Sequence, residues 1–284
     1  MKASGLYARL EEDFVDPAFS DDWYEYMDSG VRSFVCENFA KRSIGLVCDF
    51  ADEVSSVFCA TFPSDSALEY VLDSGVSDAL VFSHHAADWD IRKDPVFTQM
   101  NPQLLARLRE RRISVYVLHT PLDAPSEFST STTLAQALGC AVVGEPFGSY
   151  NGALVGVVGE TQVGSARALQ EHAAGVVGHA ASLYAYGADE IAGGLVGFVG
   201  GGGTDAQFFR DAAALGLNTY VTGITALSEY SAKAHGVAKE LGVNLIGLSH
   251  YSSEKFALLR MVEYFEELGL SAEFIPEEPV LADL

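Results

Sequence analysis

Positive charge is scarce in this chain: 17 lysines and arginines stand against 39 aspartates and glutamates, a formal net charge of −22. Such a surface repels a phosphate backbone, and nucleic-acid binding needs a basic groove or stripe that releases counterions. Nucleic acid is therefore not an expected partner. The basic cluster from Arg107 to Arg112 falls late in a helical pattern and in the turn after it, where cations complement the helix dipole. Cysteine is sparse too, and Cys36, Cys48, Cys59 and Cys140 form no CxxC pair. That spacing reads as buried small hydrophobes, not as a structural zinc site or a disulfide framework. Long apolar runs are missing as well: no uninterrupted stretch reaches the roughly 18 residues of a membrane span. The opening MKASGLYARLEEDFVD carries acids where a secretory leader has a basic segment, so cytoplasmic residence is the expectation. The acidity itself fits a salty habitat and a plain need for solubility equally well.

What is present is enough apolar sequence, 49% over 284 residues, to bury a sizeable core as one large domain or two intimate lobes. Short β-branched and apolar runs alternate with helical patterns. SVFCATF at 56–62 precedes a capped stretch from Ser64 to Gly75, and DALVFS follows at 78–83. Asn101-Pro102 is a good cap and first-turn pair for a helix leading to ISVYVL at 113–118, and a further helix runs from Thr130 to Leu138. This rhythm predicts an α/β fold. Gly144, Pro146, Gly148 and Gly152 break it, which predicts a change of lobe near 141–152. ALVGVVGE at 153–160 resumes as a strand. GLVGFV at 194–199 then leads through four glycines to a cap at Thr204, and NTYVT and NLIGLS complete a second strand-helix-strand half.

Of seven histidines, His84 and His85 follow ALVFS, His119 follows VYVL and His250 follows NLIGLS. Ligands bind beyond the carboxyl ends of strands in open α/β sheets, so these positions fall on the functional edge. A bend at a strand end lets adjacent His84 and His85 reach one cleft, each serving a different metal. His119-Thr-Pro-Leu-Asp123 adds a carboxylate able to offset cation charge. His250-Tyr-Ser-Ser-Glu254 places two donors four apart on one face at the start of a helix capped by Ser252 or Ser253. Each motif alone also fits something plainer: a packed histidine pair, a turn aspartate, a capping box. Together, His84, His85, Asp123, His250 and Glu254 make a mixed imidazole and carboxylate set suited to two zinc, manganese or iron ions, with coordination positions left for water.

Other features divide between readings. The tetraglycine Gly200 to Gly203 fits a tightly packed turn or an anion cradle, but neither a dinucleotide fingerprint nor a P-loop. Trp89 fits one wall of the histidine cleft or ordinary packing, and His172, His179 and His235 read as surface or core residues.

In this order and spacing, SHHAADW, VLHTPLD, NTYVTG and GLSHYSSE resemble the Nif-three-like family of dinuclear metal-centre proteins, often named GTP cyclohydrolase I type 2 homologues. The resemblance implies two intimately joined α/β lobes with a dinuclear metal site in the cleft between them, and a toroidal hexamer. It also implies the same five ligands, with His119 as a neighbour that shuttles protons, and no inserted third domain in a chain of this length. Ala86, Pro121 and Ile224 stand where the family usually has proline, asparagine and aspartate, which alters the rim of the pocket and not the ligands. The expected function is metal-dependent hydrolysis of a small-molecule substrate, a nucleotide among the candidates, by a hydroxide shared between two metals. The alternative is a protein that holds or delivers metal, or acts as a scaffold, without catalysis.

Overall fold

The computed structural model describes residues 1–229 and 231–284. Their contacts fall into two units. Met1–Leu122 groups with Leu258–Glu277, and Asp123–Ala257 groups with Glu278–Leu284. In chain order the strands are β1 (Gly45–Cys48), β2 (Ser56–Ala60), β3 (Ala79–Ser83), β4 (Ala87–Trp89), β5 (Phe97–Gln99), β6 (Ile113–Val117), β7 (Ala141–Tyr150), β8 (Ala153–Glu160), β9 (Ser182–Tyr184), β10 (Leu195–Phe198), β11 (Thr219–Thr222), β12 (Asn244–Gly247) and β13 (Ser271–Phe274).

The first unit is built on a five-stranded sheet in the order β1-β6-β3-β2-β13. Its last four strands run parallel, while β1 is antiparallel to β6. β3 and β6 are buried at every position, the near-continuous apolar run of a parallel strand covered on both faces. Two predicted helices close over this sheet. Ser64 caps Asp65–Asp73 by accepting the Ala67 N–H, and Asn101 caps Pro102–Glu110 by accepting that of Gln103. Their apolar spacing turns Leu68, Val71 and Leu72, and Leu104, Leu105 and Leu108, into a core shared with Phe58, Val81 and Val115. Each such leucine contributes roughly 1.5–3 kcal/mol. Ser83 pairs with Val117 in register, and Leu118 N–H donates to the Ser83 carbonyl. His84 and His119 therefore leave the sheet from neighbouring strands at the same carboxyl edge.

The second unit holds a six-stranded sheet in the order β7-β8-β10-β11-β12-β9. β10, β11 and β12 run parallel, and the other neighbours are antiparallel. Leu134, Val157, Phe198, Val221 and Ile246 form its core. The pattern break expected at 141–152 is a strand here. β7 lies at the sheet edge and turns through Asn151 and Gly152 into β8, and Gly144 and Pro146 sit in a register shift between Val143 and Phe147. Residues that usually end a strand make a bulge in this one, and the units divide earlier, between Leu122 and Asp123. The helix Ala206–Ala214 is capped by Asp205, not by Thr204 as expected. The Thr204 hydroxyl instead donates to the Ile224 carbonyl. Among the described residues, no helix is long and apolar enough to cross a membrane.

Candidate metal centre

In the first unit, the backbone of the His pair leaves β3 through a bend. The Ser83 hydroxyl donates to the His85 carbonyl at 2.8 Å, while the main-chain N–H groups of His84 and His85 still donate to Ala60 and Thr61. The bend brings both rings to one side, with centroids 4.4 Å apart. The His119 ring joins them at 5.1 Å from His84 and 4.9 Å from His85. All three are buried, and one ring nitrogen from each lies within 4.8 Å of the others.

Two of these rings are oriented through Nδ1. His84 Nδ1 meets the Leu118 carbonyl at 2.9 Å, and His119 Nδ1 meets Asp21 Oδ1 at 3.0 Å. A carbonyl and a carboxylate are acceptors, so each Nδ1 carries the proton and each Nε2 keeps its lone pair. Metal-binding histidines are held in this way. Asp21 also accepts from the Thr120 hydroxyl and main-chain N–H. Burial pushes its carboxyl up, but the charge that His119 carries when protonated, together with these hydrogen bonds, outweighs burial and holds it at about 2.

Aromatic rings enclose the group. Phe62 stacks on His85 with centroids 4.7 Å apart, and Trp23 presents its edge to His85 and His119. Trp89, which the sequence left between a cleft wall and ordinary packing, packs against Phe97. Glu277 accepts from the Ser64 hydroxyl and the Phe62 N–H, and burial raises its carboxyl to about 7.

In the second unit, His250 and Glu254 occupy the first turn of the helix His250–Glu267, which follows β12. Four-residue spacing stacks them on one face, and His250 Nε2 lies 3.2 Å from Glu254 Oε1, both side chains buried. The helix is capped by Ser249, whose hydroxyl accepts the Ser252 N–H. Ser252 and Ser253, the expected caps, lie inside it. The Ser253 hydroxyl donates to the His250 carbonyl and accepts the Gly201 N–H, and Ser252 Oγ meets His179 Nε2 at 2.7 Å. His235 is buried between the Thr225 carbonyl and the Tyr186 hydroxyl, in keeping with a core residue. Asp123 Oδ1 accepts from the Thr130 hydroxyl at 2.7 Å.

The tetraglycine packs against this turn. Gly201 has φ +64, and a Cβ there would lie 2.0 Å from Glu254 Oε1 and 3.0 Å from His250 Nε2. The N–H groups of Gly200, Gly201 and Gly203 donate to the hydroxyls of Ser131, Ser253 and Thr222. Those three amides are spent on protein oxygens, which favours the tightly packed turn over the anion cradle.

Each unit thus gathers its own donors: His84, His85 and His119 in one, His250 and Glu254 in the other, with Asp123 held by Thr130. By their chemistry these donors suit a divalent metal: two imidazoles fixed through Nδ1 in one unit, and a buried imidazole beside the buried Glu254 carboxylate in the other. Sequence reading missed Asp21, Phe62, Trp23 and Glu277. Asp21 and His119 are 98 residues apart in the chain, and none of the four stands in a motif that signals the contact.

Fold and site together define an α/β protein with His/Glu groups able to hold a metal at its strand ends. Residues 32–279 match the model of the Duf34/NIF3 (NGG1p interacting factor 3) family, and the chain belongs to that family. A GTP cyclohydrolase 1 type 2 homolog of Archaeoglobus fulgidus is 28% identical over 237 residues, covering 81% of this chain and 87% of its own length. Among solved structures, protein ybgI, of unknown function, matches with a TM-score of 0.75 at 23% identity, over 98% of this chain and all of its own. Reduced HcgD from Methanocaldococcus jannaschii matches with a TM-score of 0.66 at 22% identity, over 98% of each chain. At these identities the two structures bear on the fold alone.

Proposed function

We propose that the chain holds two divalent transition-metal ions, zinc, iron or manganese, with His84, His85, Asp123, His250 and Glu254, and hydrolyses a small-molecule substrate. The observation that carries this reading is the buried group of three imidazoles, two of them already fixed through Nδ1. Bound divalent ions supply Lewis acidity and bring the pKa of water toward neutrality. The chain's own residues do the rest. His119 takes a proton at Nε2, while Asp21 holds the opposite nitrogen, fixes the tautomer and stabilises the imidazolium that results. Phe62 and Trp23 keep bulk water from the rings, which strengthens every charge interaction among them. The names of the curated relatives make nucleotides the first substrates to try, and the hexamer implied by resemblance belongs to the same proposal.

A second reading is favoured by the closeness of the His119 nitrogen to those of His84 and His85. In it His119 is a further ligand, and the chain holds or delivers metal without hydrolysis. Elemental analysis of protein purified without chelators tests the common ground. Wild type is expected to carry nearly two transition-metal ions per chain, and the His84→Ala, Glu254→Ala double variant close to none. A wild type that carries none and refuses added zinc, manganese or iron sinks both readings. His119→Ala separates them. A proton-carrying role predicts full metal content with a rate on phosphoesters or nucleotides lowered about 10²–10⁴-fold, whereas a ligand role predicts lost metal.

A further inference from the structure

The first turn of the helix His250–Glu267 carries two of the five proposed ligands, and one of its end groups is satisfied from 33 residues away. The His250 N–H has no acceptor within its own helix, as is true of every first-turn amide. It donates instead to Asp283 Oδ2 at 2.8 Å. Asp283 is fully buried, and its main-chain carbonyl accepts from the N–H groups of Thr225 and Ala226, at 2.6 and 2.8 Å. One residue therefore fastens the loop after β11 to the amide of a proposed ligand. Ser249, just before that amide, is a non-glycine residue at φ +69. A residue in this region is held only where its surroundings determine it. Here the Ser249 hydroxyl and carbonyl accept from Ser252 and Ser253, and the Asp283 carboxylate fixes the peptide on its other side.

We propose that Asp283 is a positioning residue for the metal site. By accepting the His250 N–H, it sets the peptide plane from which the His250 imidazole and, one turn on, the Glu254 carboxylate are aimed. A carboxylate also suits the positive end of a helix dipole. Of the 39 acidic residues, this one lies next to no sequence motif, and the five-ligand reading gives it no part. The inference rests on that reading, because a positioning residue needs a metal site to position.

The test is a titration of the metal-stripped full chain with cobalt(II) chloride, followed by visible absorption, alongside thermal melts. Wild type, Asp283→Ala and Asp283→Asn are compared. Outer partners of metal ligands are typically worth 10–100-fold in affinity. Asp283→Ala is therefore expected to bind cobalt about tenfold more weakly, with altered band positions or intensity. Asp283→Asn keeps an oxygen that accepts the same N–H, and is expected to restore the wild-type spectrum with affinity within about threefold. If the alanine variant does not fold, Asp283→Glu carries the test, since it moves the carboxylate by one methylene and should disturb the spectrum likewise. A variant that melts lower yet binds cobalt with wild-type affinity and a superimposable spectrum overturns the inference and leaves the metal reading standing. A wild type that takes up no cobalt overturns both, and the failure is then visible before any substitution is made.

Discussion

The two donor groups are held by different means. In the first unit the rings are oriented through their own hydrogen bonds: Leu118 and Asp21 each hold an Nδ1, and Phe62 and Trp23 lie against the rings. In the second unit the donors are held through the main chain and by close packing: Asp283 accepts the His250 N–H, and the tetraglycine lies so near the first helical turn that a Cβ on Gly201 would collide with the Glu254 carboxylate. The difference teaches where each group is vulnerable. Orientation by hydrogen bonds fails by degrees as partners are changed, while orientation by close packing fails at the addition of a single methyl group.

The comparison breaks most readily at Gly201. Gly201→Ala must place its Cβ on the Glu254 carboxylate and hold a left-handed backbone as well, at an expected cost of about 2–4 kcal/mol. It is predicted to lose tenfold or more in metal affinity, read by thermal melts and by metal titration. An alanine variant with unchanged metal affinity would show that the packing does not position the donors.

Asp21→Asn is predicted to do less. It keeps the shape but replaces an acceptor of three hydrogen bonds with an amide, at about 1–3 kcal/mol and roughly tenfold in rate or metal affinity. The pH dependence carries its own sign. Asp21 lies below its usual value of 3.8, at about 2, so the stability it contributes is present above pH 3.8 and lost as pH falls through 2. The gap in melting temperature between wild type and Asp21→Asn should therefore narrow from pH 5 toward pH 2, and a constant gap would contradict the assigned charge.

The smallest effect is expected at Glu277. Its carboxyl is raised from 4.5 to about 7, so the stability it contributes is complete below pH 4.5 and lost as pH rises through 7. Glu277→Gln should melt close to wild type at pH 5 and above it at pH 8. Parallel melting curves at the two pH values would place Glu277 in solvent.

Much of this architecture was legible in the chain. ALVFS, ISVYVL and NLIGLS are runs whose length and β-branching mark buried strands, and their ends locate His84, His119 and His250 without knowledge of the fold. The cap at Ser64 and the Asn101-Pro102 pair were equally plain. Three things were not. A bulge inside β7 uses the same glycines and proline as a chain break, and local composition does not distinguish them. The cap at Asp205 instead of Thr204 turned on the Ile224 carbonyl, which claims the threonine hydroxyl. Asp21, Glu277 and Asp283 were hidden among 39 acids, because what sets them apart is burial against residues distant in the chain.

The irregular strand β7 has a consequence for how this protein survives at high concentration. A sheet edge offers unpaired backbone groups on which a second chain can grow a strand. Pro146 has no N–H to donate, and the register shift between Val143 and Phe147 interrupts the regular strand at that edge. The feature that obscured the strand in the sequence thus also guards against templated aggregation, and straightening it, by replacing Pro146 and deleting Gly144, would expose the edge to polymerisation.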